Sequence, residues 1–267
     1  MKKLIALLSL AAVAAGPVAA SAAEGYVYAD VLSAYVSNGQ VGNDEAVFQP
    51  GLDVSGPLGL AFSLWANMAL TDADSAWDPD TKGEWNEIDL GLSWTVPYEA
   101  PVSLTLGATY FVYPQASSSV DEEGVVSKAP ADGSYELYAT LSAGDVLLSP
   151  TLKVCHDLDN TDDWIAKFSI GHGFELADSL SLDLGATVGF AGEYYVESNY
   201  GADVGSAFTH AEVSAGLNYA FTEKFSAGIK GAFCSIIDSD VRDSIEDSDY
   251  YPEVDIFYGG VTASYSF

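Results

Sequence analysis

Apolar and polar side chains alternate with period two in twelve stretches of the chain. In one, Leu180, Leu182, Leu184, Ala186, Val188 and Phe190 alternate with Ser181, Asp183, Gly185, Thr187, Gly189 and Ala191. In another, Ile88, Leu90, Leu92, Trp94 and Val96 alternate with Glu87, Asp89, Gly91, Ser93 and Thr95. Successive side chains of a strand point to opposite faces, so each stretch predicts a strand with one apolar and one polar face. The strands are expected at 26–36, 46–55, 58–70, 85–96, 101–113, 134–143, 146–157, 163–175, 180–194, 207–221, 224–236 and 253–267. The last closes the chain on an aromatic, with Phe257, Gly259, Val261, Ala263, Tyr265 and Phe267 on one side.

The connections alternate in length. Gly56-Pro57, 97–100, Gly144-Asp145, 176–179 and Thr222-Glu223 are short and built from residues that turn tightly. Segments 37–45, 71–84, 114–133, 195–206 and 237–252 are longer and polar, with 158–162 the one short member of that set. An even strand number, short turns at one end and long loops at the other predict an all-β fold. It is a 12-stranded antiparallel transmembrane outer-membrane β-barrel with short periplasmic turns and longer extracellular loops. A soluble two-sheet sandwich also alternates, but it gathers its aromatics in the core. Here they collect at strand ends in two bands: Trp94, Tyr98, Phe174, Tyr219, Phe221, Phe225 and Phe267 in one, Trp85, Tyr110, Tyr135, Trp164, Phe190, Tyr194 and Phe257 in the other.

The chain's ends and charge fit that solvent. Residues 1–22 read as a signal peptide: Lys2 and Lys3, an apolar run from Leu4 to Ala15, and Ala20-Ser21-Ala22 before the cut. Residues 23–267 are then one outer-membrane barrel domain. The formal net charge is −30, with the acids concentrated in the expected loops. Such a chain is no partner for nucleic acid, whose phosphates need Lys and Arg. The expected partners are outer-membrane lipid and lipopolysaccharide, reached through divalent cations, together with small polar solutes. The C-terminal strand ending in Phe267 is the segment expected to meet the barrel-assembly machinery. Cys155 and Cys234 fall on strands four places apart, too distant for a disulfide, and no bridge is expected.

The inward polar face supplies the candidate site. Its expected lumen-lining residues are Asp30, Asp53, Glu87, Asp89, Glu136, Lys153, Lys167, Asp183, Glu212 and Lys230, with Glu193 a further inward acid and His210 a candidate fourth base. Opposed charges either set a transverse field across an open pore or pair to stabilise a filled one, and an excess of acid favours cations. Loop 114–133, with Ser117-Ser118-Ser119, is the candidate to fold into the lumen. Catalytic chemistry finds little support. No His has the serine spacing of an outer-membrane lipase; Glu87-x-Asp89 and His210-x-Glu212 resemble the acid pair and His–acid pair of barrel-mouth proteases but belong to opposite walls. Asp72-x-Asp74, Asp78-x-Asp80 and the 238–249 run lack the glycine and terminal Glu of a calcium loop. No metal, cofactor or catalytic residue is expected.

Three N-terminal stretches carry a more specific likeness: Tyr35-Val-Ser-Asn-Gly39-Gln, then Val47-Phe-Gln49-Pro-Gly-Leu-Asp53-Val-Ser, then Gly59-Leu-Ala-Phe-Ser-Leu-Trp65-Ala-Asn67. They resemble the TorF family of putative porins over about 45 residues, with Asn38 where the family commonly has Arg. The resemblance implies an outer-membrane barrel for passive transport. The expected function is a porin-like channel for small solutes. The alternatives are a plugged structural or adhesive barrel and a barrel-mouth hydrolase.

Overall fold

Twelve antiparallel strands close into a barrel, in a computed structural model that describes residues 23–72, 82–98, 100–114, 117–120, 126–129, 132–247 and 253–267. The expected signal peptide, 1–22, lies outside the described residues, as do Asp74, Asp78 and Asp80. In chain order the barrel strands are β1 (Glu24–Leu32), β4 (Val47–Ser55), β5 (Leu60–Ala69), β6 (Trp85–Thr95), β7 (Ser103–Val112), β10 (Ser134–Ser142) and β11 (Thr151–Asp157), then β12 (Trp164–Ala177), β13 (Leu180–Ala191), β14 (Ala207–Ala220), β15 (Phe225–Ile236) and β16 (Asp255–Ser266). β1 closes the cylinder: Val27 sits opposite Leu52 on β4 and opposite Tyr265 on β16. Two further hairpins, β2 (Tyr35–Ser37) with β3 (Gln40–Asn43) and β8 (Ser117–Val120) with β9 (Val126–Ala129), belong to the long loops.

The outer face is apolar and exposed. Leu137, Val213, Ile229 and Val261 each leave half or more of their surface uncovered, and Leu184 leaves 44%. In water that pattern would be a severe liability; against hydrocarbon it is the stabilising surface. Both aromatic bands are present at its margins. Tyr219, Phe221 and Phe225 follow one another at 4.9 and 5.5 Å near the short-turn end, and Trp164, Phe190 and Phe208 at 5.7 and 4.9 Å near the long-loop end. His156 and His172 lie on this outer face, beside Asp162 at 3.2 Å and Phe174 at 4.6 Å.

All twelve expected strands occur, and three have an end displaced by three residues or more. The seventh starts at Thr151 instead of 146, because the apolar run from Val146 to Leu148 is a turn and not strand. Leu148 and Ser149 adopt positive φ there, and Pro150 next to them has no N–H to give a ladder. The ninth stops at Ala191, where the Asp163 carboxylate accepts the Tyr195 N–H at 3.0 Å and starts helix α1 (Glu193–Tyr200). Glu193 is therefore an exposed helix residue and not an inward strand position. The first stops at Leu32, and the chain leaves the wall.

Candidate functional site: the barrel interior

The segment that leaves the wall after Leu32 is the one that occupies the lumen. Residues 33–46, carrying the β2–β3 hairpin, turn inward and bury Ala34, Val41 and Asn43. Loop 114–133 was the sequence candidate for this role; its described part is the separate β8–β9 hairpin. The inward hairpin reaches both walls. Toward β5 and β6, the Tyr35 hydroxyl donates to Glu87 Oε2 at 2.5 Å and its ring lies 5.5 Å from Trp65. Toward β12 and α1, Lys167 Nζ donates to Asn38 Oδ1 at 2.8 Å, Asn38 Nδ2 donates to Tyr195 at 3.2 Å, and the Tyr200 hydroxyl donates to the Asn38 carbonyl at 2.6 Å. Gln40 donates to the carbonyl of Asn199.

The hairpin tip is built for close approach. Asn38 and Gly39 both hold positive φ, 51° and 86°. A Cβ on Gly39 would stand 2.5 Å from that of His210, so only glycine meets both demands. His210 faces inward by alternation with Glu212, and an irregularity in the β13–β14 register between Val188 and Phe190 buries Thr209 beside it.

Beside the hairpin, α1 and α2 (Ser239–Glu246) close the long-loop end over β11–β15. Tyr195, Val196, Tyr200, Val241 and Ile245 pack with Cys155, Ile165, Ala191, Ala207 and Ile236 into one apolar cluster. Asp238 caps α2 through the N–H groups of Asp240 and Val241, and Arg242 pairs with Asp255 and Glu246 to hold the helix to β16. Both cysteines are free, each only 1% exposed. At mid-height the interior is open along β13–β16. A cavity of about 350 Å³ is lined by Asp183, Glu212, Ser214, Lys230 and Tyr258 over a floor that includes Gly185 and Gly216.

The register places the ten sequence-derived residues on the inner face, and contacts sort them. Lys230 pairs with Asp30 two strands away, and Lys153 pairs with Glu136 at 3.7 Å while standing 4.2 Å from the Tyr138 ring. Lys153 and Lys167 are directly opposite each other, and Lys167 is turned to the hairpin. Asp183 accepts from Asn218 at 2.9 Å and Glu212 from Tyr258 at 2.7 Å. Asp53 stands opposite Tyr26 and Ser63, and Asp89 opposite Trp65 and Phe111. Gln49 donates to Asn67 at 3.0 Å, and Asn67 to Asn86 at 2.8 Å, a buried polar ladder. Of the protease-like pairs, Glu212 accepts from Tyr258, His210 Nδ1 lies 3.0 Å from the Thr209 hydroxyl, and Glu87 accepts from Tyr35.

Sequence reasoning missed Tyr35, Asn38, Gln40, Tyr195 and Tyr200 as interior residues. One signal was present: Asn38-Gly39 is a hairpin dipeptide, and Tyr35-Val36-Ser37 before it continues the first strand's alternation only until the turn.

No protein-family model matches the chain, and no curated protein matches its sequence. Among solved structures it is similar to the NanC porin, with 11% identity and a TM-score of 0.50 over 89% of this chain and 98% of that one. It is similar to the KdgM porin, also 11% identical with a TM-score of 0.50, over 92% of this chain and 99% of that one. KdgM in complex with disordered oligogalacturonate gives 10% identity, a TM-score of 0.50 and the same coverage. At such identities the likeness is one of fold, and the fold is the twelve-stranded barrel of outer-membrane porins.

Proposed function

We propose that the chain is an outer-membrane porin-like channel that passes small polar solutes by passive diffusion and prefers cations. The observation that carries this reading is the inner face, where seven carboxylates (Asp30, Asp53, Glu87, Asp89, Glu136, Asp183 and Glu212) outnumber Lys153, Lys167 and Lys230. Two of the lysines are already paired with carboxylates, so the uncompensated charge along the route is negative. A narrow wall of that sign lowers the energy of a cation and raises that of an anion. The hairpin 33–46 stands inside the barrel, and the open cavity lies along β13–β16.

The same reading assigns residues 1–22 to export, the long loops to the outer surface where divalent cations bridge them to lipopolysaccharide, and the strand ending in Phe267 to the barrel-assembly machinery. It also places the chain with the TorF family through the segment from Tyr35 to Asn67. In planar bilayers under a KCl gradient the folded protein is expected to conduct, with a reversal potential of cation-selective sign. A folded but insulating protein, or an anion-selective one, overturns the proposal.

A plugged structural barrel is the second reading, and the apolar cluster of Tyr195, Val196, Val241 and Ile245 across the long-loop end favours it. Liposome swelling with sugars of graded size separates the two, since a plug admits none of them.

A further inference from the structure

The corner formed by Trp65 on β5 with Glu87 and Asp89 on β6 is filled by a side chain of another element. Tyr35 places its ring 5.5 Å from the indole, tilted by 44°, and donates its hydroxyl to Glu87 at 2.5 Å. Trp65 and Asp89 are directly opposite in register, so an apolar face and a carboxylate share the corner's edge. Asp89 Oδ1 is buried there without a hydrogen-bond partner, an acceptor that the single phenol hydroxyl does not serve. The aromatic floor then continues toward the short-turn end. Trp65 and Tyr28 flank Gly51 in register, and a Cβ on Gly51 would stand 2.1 Å from Cζ of Tyr28, so that ring lies flat across the glycine. Tyr26 follows at 5.6 Å from Tyr28 and leaves 44% of its surface open to the lumen.

We propose that this corner is a binding subsite for a neutral hydroxylated ring, a pyranose, and that Tyr35 is its resident occupant, displaced when solute enters. The inference deepens the channel reading and rests on it. A pyranose presents a C–H face that stacks on an indole and hydroxyls that donate to carboxylates, the two contacts Tyr35 makes with one hydroxyl. Its additional hydroxyls reach Asp89 Oδ1. A ring carrying its own carboxylate meets the negative charge of the Glu87–Asp89 pair and is disfavoured. Once past Trp65, the ring moves onto Tyr28 and Tyr26.

The test is calorimetric titration of the folded full-length chain, in a detergent without a sugar headgroup, using methyl glucoside, glucuronate and choline in turn. Methyl glucoside is expected to bind, with glucuronate weaker by about tenfold or more. Trp65→Leu should abolish the binding. Tyr35→Phe keeps the occupant's ring but removes its bond to Glu87, so methyl glucoside should bind roughly three- to tenfold tighter, because less of the protein is blocked at rest. A merely structural Tyr35 predicts no change or a loss. Heat-modifiable gel mobility shows which variants are folded, and Tyr35→Phe keeps the test open if Trp65→Leu is not. The inference fails if methyl glucoside does not bind wild type or Tyr35→Phe, if glucuronate or choline binds at least as well, or if Tyr35→Phe does not tighten binding. Conductance without sugar binding sinks the subsite alone; sugar binding by an insulating protein sinks the channel.

Discussion

The two halves of the barrel interior follow one alternation rule and have opposite characters. Near the long loops the inward positions are filled: Val47, Cys155, Ile165, Ala191, Ala207 and Ile236 are all buried beneath the hairpin or the helices. Near the short turns the inward positions are Ser103, Ser142, Ser181, Asn218, Ser226 and Ser264, and none of these is buried. The same twelve strands run through both halves. What differs is what the loops bring to them: long segments fold back into the cylinder at one end, while turns of a few residues at the other cannot reach. An inner face that needs a partner is therefore apolar only where a loop is long enough to supply one.

That contrast can be broken experimentally. The largest effect should come from replacing residues 33–46 with a short Gly-Ser link. Single-channel conductance should rise by about threefold or more, because the segment that occupies the lumen is removed. The same replacement across 143–150 should leave conductance unchanged, and equal effects at both ends would end the comparison.

Next in size is Val196→Asp, which puts an unpaired carboxylate into the apolar cluster that includes Cys155. Displacement of α1 should speed labelling of Cys155 by a membrane-impermeant maleimide by about tenfold or more, since burial of such a charge is expensive. An unchanged rate in the folded variant would show that α1 does not seal that end. A Cys234→Ala background, which leaves Cys155 as the single cysteine, isolates the signal.

Ile245→Ala removes a side chain 2% exposed in the same cluster and should destabilise the barrel by ~2–4 kcal/mol, read from the urea midpoint of gel mobility. Ser181→Ala, on the open half, should cost less than ~0.5 kcal/mol in the same assay. Comparable values would mean that the filled half contributes no more to stability than the open one.

Much of this was readable from alternation. Leu180 through Ala191 and Ile88 through Val96 could take only one pleated arrangement that separates hydrocarbon from water, so their strands and facing follow from period two. Val146 to Leu148 misled because a short apolar run looks the same in a strand and in an exposed turn near a membrane surface. The interior of the long-loop end was not readable. Asn38 meets Lys167, Tyr195 and Tyr200 across 129 to 162 residues of sequence, and no local pattern encodes such a meeting.

The sequence by itself determined the barrel: alternation sets which face each side chain takes, an even strand count returns both ends to one side, and aromatic positions mark the two margins. Only the tertiary structure decided what stands inside it. Closure brought β1 beside β16 and aimed the chain after Leu32 inward, where Gly39 alone fits against His210 and Tyr35 reaches Trp65 and Glu87. The reason is physical. Facing is a property of one residue and its neighbours, whereas occupancy of a lumen depends on which distant walls a loop meets once the cylinder has closed.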